Sequence, residues 1–347
     1  MQLVLPIVLT ILLLAGLVLT GSLQRLEASD VGTVGAGFLR VEAGPRAMAL
    51  AGAYTALSDD GFGMYWNPAG LSRLEQGVFS ASHQQLFPDL NIDNDLLSWA
   101  YPLGAYHTVA ISGRFLHSED YYRTEWQDGS SFTNYSGSLG AHYAYGGSTG
   151  MAYGLGVKLI RERLAGYDAN SFAVDGGVHY RSPHVPLRLG LVVQNLGPDI
   201  RFIEDGDPLP LTLRGGWAYD FYPLDWRLTL SSDLIYYQPE NLSFIAFGME
   251  YSLFDLLELR GGYRTSQDYD DDGQFFVGLG FNHSYFNLDY SYGDRENLDA
   301  QHSFGISFKF GRRPDPHEPL RRDLAIYRDL TEETELEREL REFLSDD

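Results

Sequence analysis

The chemically capable side chains of this chain recur on the polar faces of alternating segments: Arg114, His142, Lys158, Asp175, His179, Arg188, Arg214, Arg227, Asp233, Glu258, Arg260, Arg264 and Asp289. Both signs of charge are represented, so the simplest chemistry they offer is ion pairing with one another in an enclosed interior. Asp175 and His179 share a face, but residues i and i+4 of a strand lie about 13 Å apart, which rules them out as a metal pair by spacing alone. The acidic run Asp268, Asp270, Asp271 and Asp272 could attract calcium weakly. It lacks the full spacing of a calcium-binding loop and reads as a solvated acidic loop. The chain has no cysteine, which excludes disulfides, thiolate metal sites and thiol catalysis. Gly146-Gly147-Ser148 falls at a strand turn instead of a strand-to-helix elbow, so no hydrolase nucleophile is marked. The expectation is a non-enzymatic chain with no catalytic residue, no cofactor and no metal.

The elements that position this polar set are strands. In the segment 303–310, Phe304, Ile306, Phe308 and Phe310 share one face and Ser303, Gly305, Ser307 and Lys309 the other. In 226–236, Trp226, Leu228, Leu230, Leu234 and Tyr236 oppose Arg227, Thr229, Ser231 and Asp233, and the same alternation runs through 172–180 and 187–194. Such half-polar segments, long enough to cross a bilayer when tilted, are expected at 77–86, 94–102, 106–117, 133–146, 150–163, 171–181, 186–195, 209–220, 225–237, 242–251, 256–266, 273–282, 285–293 and 300–310. That makes fourteen, and an even count lets a closed antiparallel sheet begin and end on one side of a membrane. Short links alternate with longer polar ones, as periplasmic turns alternate with outer loops. Pro239-Glu240-Asn241 breaks the pattern by being short where a long link belongs. Tyr143, Tyr145, Trp217, Tyr219, Tyr236, Tyr263, Tyr290 and Tyr292 lie near strand ends, where amphipathic rings settle at headgroup level. The fold class expected is all-β: a 14-stranded antiparallel transmembrane β-barrel in the bacterial outer membrane, in contact with outer-membrane lipid.

Composition agrees with that reading. The 347 residues include 38 Gly, 23 Tyr and 20 Phe and carry a formal charge of -22. Such a charge repels a polyanion and excludes a general nucleic-acid binder. Residues 1–28 begin with an almost purely apolar run ending in small residues. They are expected to be a signal peptide, although no Lys or Arg precedes the run, and a retained anchor is the other reading of its length. Residues 77–311 form the expected barrel. Residues 312–347 open with Arg312, Arg313 and three prolines and continue into a segment with Leu336, Leu340, Phe343 and Leu344 on one helical face. This is expected to be an acidic, helical tail in the periplasm, either simply solvated or docking a soluble partner.

Residues 29–76 do not alternate. Arg46 to Tyr54 reads as a small-residue helix introduced by Pro45 and ended by the turn Asp59-Asp60-Gly61, and small residues allow close packing as a plug inside a barrel. Arg46 buried in a lumen requires a carboxylate or several carbonyls around it. Asn67 can cap or bridge a turn, Pro68 fixes the backbone, and Gly70 permits tight or left-handed geometry.

The stretch GFLRVEAGPRAMALAGAYTALSDDGFGMYWNPAGL resembles the N-terminal signature of the PorV/PorQ family, outer-membrane proteins related in fold to the FadL long-chain fatty-acid transporters. Gly44, Arg46, Ala47, Met48, Gly52 and Ala53 match its glycine-arginine-alanine helix, Trp66 its residue before the hatch motif, and Asn67, Pro68, Ala69, Gly70 and Leu71 the hatch motif itself. The resemblance implies a fourteen-stranded barrel closed by an N-terminal hatch, acting without catalysis through protein partners in type IX secretion or surface assembly. The alternative it leaves open is a FadL-like channel for long-chain fatty acids or another hydrophobic ligand.

Overall fold

The computed structural model describes residues 34–121, 131–147, 149–164, 166–222, 226–265, 273–295 and 298–311. The expected signal peptide, the acidic run 268–272 and the C-terminal tail lie outside the described residues. Strand β1 spans Gly77–Phe87, β2 Ile92–Pro102, β3 His107–Tyr121, β4 Ser131–Gly146, β5 Met151–Leu164, β6 Tyr167–Arg181 and β7 Leu187–Leu196. Two short strands, β8 Ile200–Arg201 and β9 Gly206–Asp207, pair with each other in the long link that follows. The remainder are β10 Thr212–Phe221, β11 Trp226–Tyr237, β12 Leu242–Leu253, β13 Leu257–Arg264, β14 Gln274–Asn282, β15 Phe286–Arg295 and β16 Leu298–Phe310. All but β8 and β9 form one closed antiparallel barrel of fourteen strands, in which β7 pairs with β10 and β1 closes on β16.

The alternation seen in the sequence sets which way each side chain points. On β16, Phe304 and Phe308 are exposed while Ser303 and Ser307 are buried. On β7, Leu191 is 65% exposed, against 8% for Arg188. An exterior of Leu, Val, Ile and Phe around a polar interior is stable only where lipid covers the outside, so the barrel is membrane-spanning and of the outer-membrane type. Among the described residues no helix is long and apolar enough to cross a membrane; the strands do so. Rings ride at both rims. Trp99, Tyr101 and Phe310 stack in a row at the end where the short turns lie, and Tyr263 with Phe275 and Tyr290 with Phe304 pair nearer the loop end.

Residues 34–76 run through the interior from one end to the other. Gly35 donates to the carbonyl of Pro208 at the loop end, and the Arg73 guanidinium reaches the carbonyl of Gly150 at the short-turn end. The helix within this segment, α1, covers only Pro45–Ala49, shorter than the expected run to Tyr54. Ala51 and Gly52 take positive φ (55° and 82°), which ends it, and the amides of Tyr54 and Thr55 turn to the Asp233 carboxylate at 3.2 and 2.9 Å. The wall is built to receive α1. A Cβ on Gly262 would lie 2.5 Å from the Ala51 nitrogen, and one on Gly278 2.5 Å from the Ala49 Cβ. Only glycine at these two inward positions lets the segment lie on the wall.

Candidate functional site

Arg46 is the hub of the contact between the N-terminal segment and the wall. It leaves α1 one residue after Pro45 and meets the Glu250 carboxylate of β12 with both edges of its fork, Nε at 2.8 Å and Nη2 at 3.1 Å. Its Nη1 donates to Asp59 Oδ1 at 2.8 Å and to the Tyr54 hydroxyl at 3.1 Å. The pairing continues both ways along the inner surface. Arg188 bridges Asp59 and Asp220 at 3.2 and 2.6 Å, and Arg260 bridges Glu250 and Asp289 at 2.8 and 2.6 Å. Charges of alternating sign thus run Asp220, Arg188, Asp59, Arg46, Glu250, Arg260, Asp289. The turn Asp59-Asp60-Gly61 thus directs both carboxylates to the interior, toward Arg46.

The two carboxylates differ. Burial works to raise Asp59, but Arg46 and then Arg188 outweigh it and hold the group below the ordinary carboxylate range. Burial raises Asp60 and prevails over the opposing effect of Arg46 and of the Tyr54 hydroxyl hydrogen bond. Asp60 accepts that bond at 2.6 Å and stands 3.8 Å from the Arg46 guanidinium.

The other residues singled out in the sequence gather beside this hub. Gly44 precedes α1 at φ 85°, and a Cβ there would lie 2.8 Å from the Phe62 ring. Gly52, at φ 82°, lies under the indole of Trp66. Trp66 donates from Nε1 to the Ala43 carbonyl at 2.8 Å, meets Tyr54 edge-on and carries the Arg214 guanidinium 4.7 Å over its ring. Asn67 both caps and bridges. Its Oδ1 accepts from Ala69 at the start of the 3-10 turn Pro68–Arg73, and its Nδ2 donates to the carbonyls of Thr55 and Val178. Ala69 is fully buried against β5 at Gly154. Of the two reasons expected for Gly70, tight geometry is the one that applies: its φ is not left-handed, but a Cβ would sit 2.0 Å from the Ser58 carbonyl oxygen.

Part of the inward set forms ion pairs and part meets neutral groups, as where Arg114 donates to the Phe38 carbonyl at 2.7 Å. Lys158 meets Asp175 at 2.9 Å, His179 donates to the Ala56 carbonyl at 2.9 Å, and Arg227 approaches Glu250 and Glu258. Sequence reading missed Glu42, Asp220, Glu240 and Glu250. Glu250 sat in a recognised strand, two residues from Gly248 and Ser252, and phase alone would have placed it inward. Glu240 explains the short link: it turns into the mouth, is buried and pairs with Arg40.

Two cavities flank the segment. At the short-turn end a polar vestibule of about 520 Å³ opens onto Arg46, Asp59, Arg188, Asp220, Glu250 and Arg260. At the loop end a cavity of about 320 Å³ lies between Gly37, Arg40, Val41 and Glu42 of the segment and Tyr237, Leu242, Phe244, Arg264, Thr265 and Gln274 of the wall. Its floor is apolar, since Tyr237, Leu242 and Phe244 pack with Ile235, Ala246 and Ala53. Its two cations are already matched, Arg40 with Glu240 and Arg264 with Glu42. Between the cavities, Tyr54, Leu57 and Met64 of the segment are fully buried. Among the described residues no group of three or more His, Asp or Glu side chains is gathered tightly enough to hold a metal ion as it stands.

Neither a family model nor a curated protein sequence matches the chain. Solved structures do. The CymD monoaromatic hydrocarbon channel superposes with a TM-score of 0.58 at 12% identity, over 78% of this chain and 98% of that one. The Ralstonia pickettii toluene transporter TbuX gives 0.53 at 12% identity over 77% and 98%, and a Pseudomonas aeruginosa FadL homologue 0.52 at 10% over 77% and 98%. Likeness at this identity is one of fold, and the fold is that of the FadL-type outer-membrane barrels.

Proposed function

We propose that this protein is a non-enzymatic outer-membrane channel for small, uncharged hydrophobic solutes, with residues 34–76 as a plug that must shift for passage. The observation that carries the reading is the apolar-floored cavity at the loop end. Its volume of about 320 Å³ is ample for a single aromatic ring, since an apolar cavity of about 150 Å³ suffices for benzene. A charged fatty acid fits less well, because its carboxylate would have to displace Glu42 or Glu240 from a paired arginine. The hydrocarbon and toluene channels of the same fold support an aromatic solute. The polar vestibule then serves as the exit, and the Arg46 cluster as the fastening between plug and wall.

Displacement of a fluorescent apolar dye from purified protein by toluene tests this. Saturable displacement is expected, and Val41→Trp, which fills the cavity, should weaken it at least tenfold in a folded barrel. No displacement, or displacement indifferent to Val41→Trp, would refute the reading.

A second reading is favoured by the ion pairs that pin the segment at both ends. A permanently closed barrel of the PorV/PorQ kind would act through protein contacts in secretion or surface assembly. Stable copurification of a protein partner from native membranes, with no solute binding, is what that reading requires.

A further inference from the structure

The loop-end cavity has an apolar floor, yet two guanidiniums form part of its lining, Arg40 of the plug and Arg264 of β13. A cation is ordinarily a poor neighbour for a hydrocarbon. What these two present to the cavity depends on which parts of each planar fork are already engaged.

The edges are engaged. Arg40 turns Nη1 and Nη2 to the two oxygens of Glu240, the second at 3.3 Å. Arg264 donates from Nη1 to Glu42 and from Nη2 to Gln274 Oε1 at 2.6 Å. Hydrogen bonds of a guanidinium run along its N–H directions, close to its own plane, so they leave both flat faces uncovered. One face of each then rests on a ring. The Arg40 Cζ lies 5.1 Å from the centroid of Tyr237, and the Arg264 Cζ 5.6 Å from that of Phe276. Phe276 is fully buried with Met48 and Ala51 and takes no part in the cavity lining, whereas Arg264 does. Arg264 therefore stands between that ring and the cavity. Arg40 lies on Tyr237, which itself meets Phe244 of the floor edge-on at 5.7 Å. Among the described residues no second ring covers either guanidinium.

We propose that Arg40 and Arg264 are specificity-determining residues of this cavity and select aromatic rings over aliphatic hydrocarbons of the same size. The inference rests on the channel reading above and adds the feature of the solute that is recognised, its π-face. An aromatic ring carries negative charge on its faces, so a solute ring laid on the open side of either guanidinium extends the stack to ring, cation, ring. A cycloalkane has no such face to offer. A perfluorinated ring has faces of the opposite sign and is repelled. Glu42 and Glu240 neutralise the two cations in their planes, so the cavity offers the face of a cation without requiring an anion to enter with the solute.

The test is displacement of the fluorescent dye from the full-length protein by toluene, methylcyclohexane and hexafluorobenzene, each corrected for its partition into detergent. Toluene is expected to bind about 5- to 30-fold more tightly than methylcyclohexane, and hexafluorobenzene most weakly. Ring contacts with Tyr237 and Phe244 alone would not disfavour a ring of reversed sign. Replacing a cation together with its carboxylate strands no charge. Arg264→Met with Glu42→Gln, and Arg40→Met with Glu240→Gln, should therefore each narrow the preference for toluene severalfold while methylcyclohexane still binds. Heat-modifiable gel mobility identifies variants that retain the barrel. Equal affinity for toluene and methylcyclohexane, hexafluorobenzene matching toluene, or a preference unchanged in both variants would overturn the proposal and leave the channel reading standing. Displacement by none of the three solutes would refute the channel reading, and this inference with it.

Discussion

At the short-turn end, the space beside the N-terminal segment is walled by paired charges; at the loop end, the smaller space is floored by Tyr237, Leu242 and Phe244. The same segment serves both. Its first residues, through Val41, present an apolar contact to the loop-end space, and its middle, through Arg46 and Asp59, is fastened to β7 and β12 by ions. The contrast teaches where each task belongs. Apolar burial is non-directional and tolerates an exchange of partners, which suits reception of a solute. A buried ion chain tolerates no missing member, because the partner left behind is an uncompensated charge, which suits a fastening.

The largest effect is therefore expected at the fastening. Arg46→Ala or Glu250→Ala should destabilise the plugged state by about 3–5 kcal/mol, seen in chemical unfolding, and should expose residues 44–60 to protease in an intact barrel. Removing both together should cost less than the sum of the single changes, since neither charge is then stranded. Costs that simply add would show that the two do not work as a pair.

A sharper contrast lies between neighbours. Asp59, held below the ordinary carboxylate range, contributes stability that is present above that range and lost as pH falls through its lowered value. Asp60, raised, contributes stability that is present below the ordinary range and lost as pH rises through its raised value. At pH 7 Asp59→Asn should cost about 1–3 kcal/mol, while Asp60→Asn should be near neutral or stabilising. Equal losses would contradict the assignment of Asp59 to the fastening.

The smallest effect concerns the wall itself. Spin labels at Ile306→Cys and Ser307→Cys should report lipid at the first and a polar, packed interior at the second, with little change in stability at the first. Equal water exposure at both would refute the facing of β16.

The barrel was legible because strand phase is a local property. Phe304, Ile306 and Phe308 against Ser303 and Ser307 declare an outside and an inside with no reference to the rest of the chain. The need of Arg46 for a carboxylate was legible too, from the cost of burying a guanidinium. Its partner was not, because Glu250 lies 204 residues away and only barrel closure brings the two together. The length of α1 was misread for a related reason: alanine-rich sequence favours helix, but the Asp233 carboxylate offers the amides of Tyr54 and Thr55 another partner. The loop-end cavity was invisible in the sequence, since Val41 and Phe244 belong to segments that meet only in the closed lumen.

The most direct test of the central claim, that the plug must move for a solute to pass, uses the absence of native cysteine. A Cβ placed on Gly248 would lie 3.0 Å from the Leu50 Cβ and 2.6 Å from the Ser231 hydroxyl, nearer than the roughly 3.8 Å of a disulfide, so Leu50→Cys with Gly248→Cys, combined with Ser231→Ala to make room, brings the two sulfurs within reach of a tether between plug and wall. Toluene uptake into vesicles holding this variant should stop on oxidation and return on reduction. Uptake that continues unchanged with the tether closed would contradict the account.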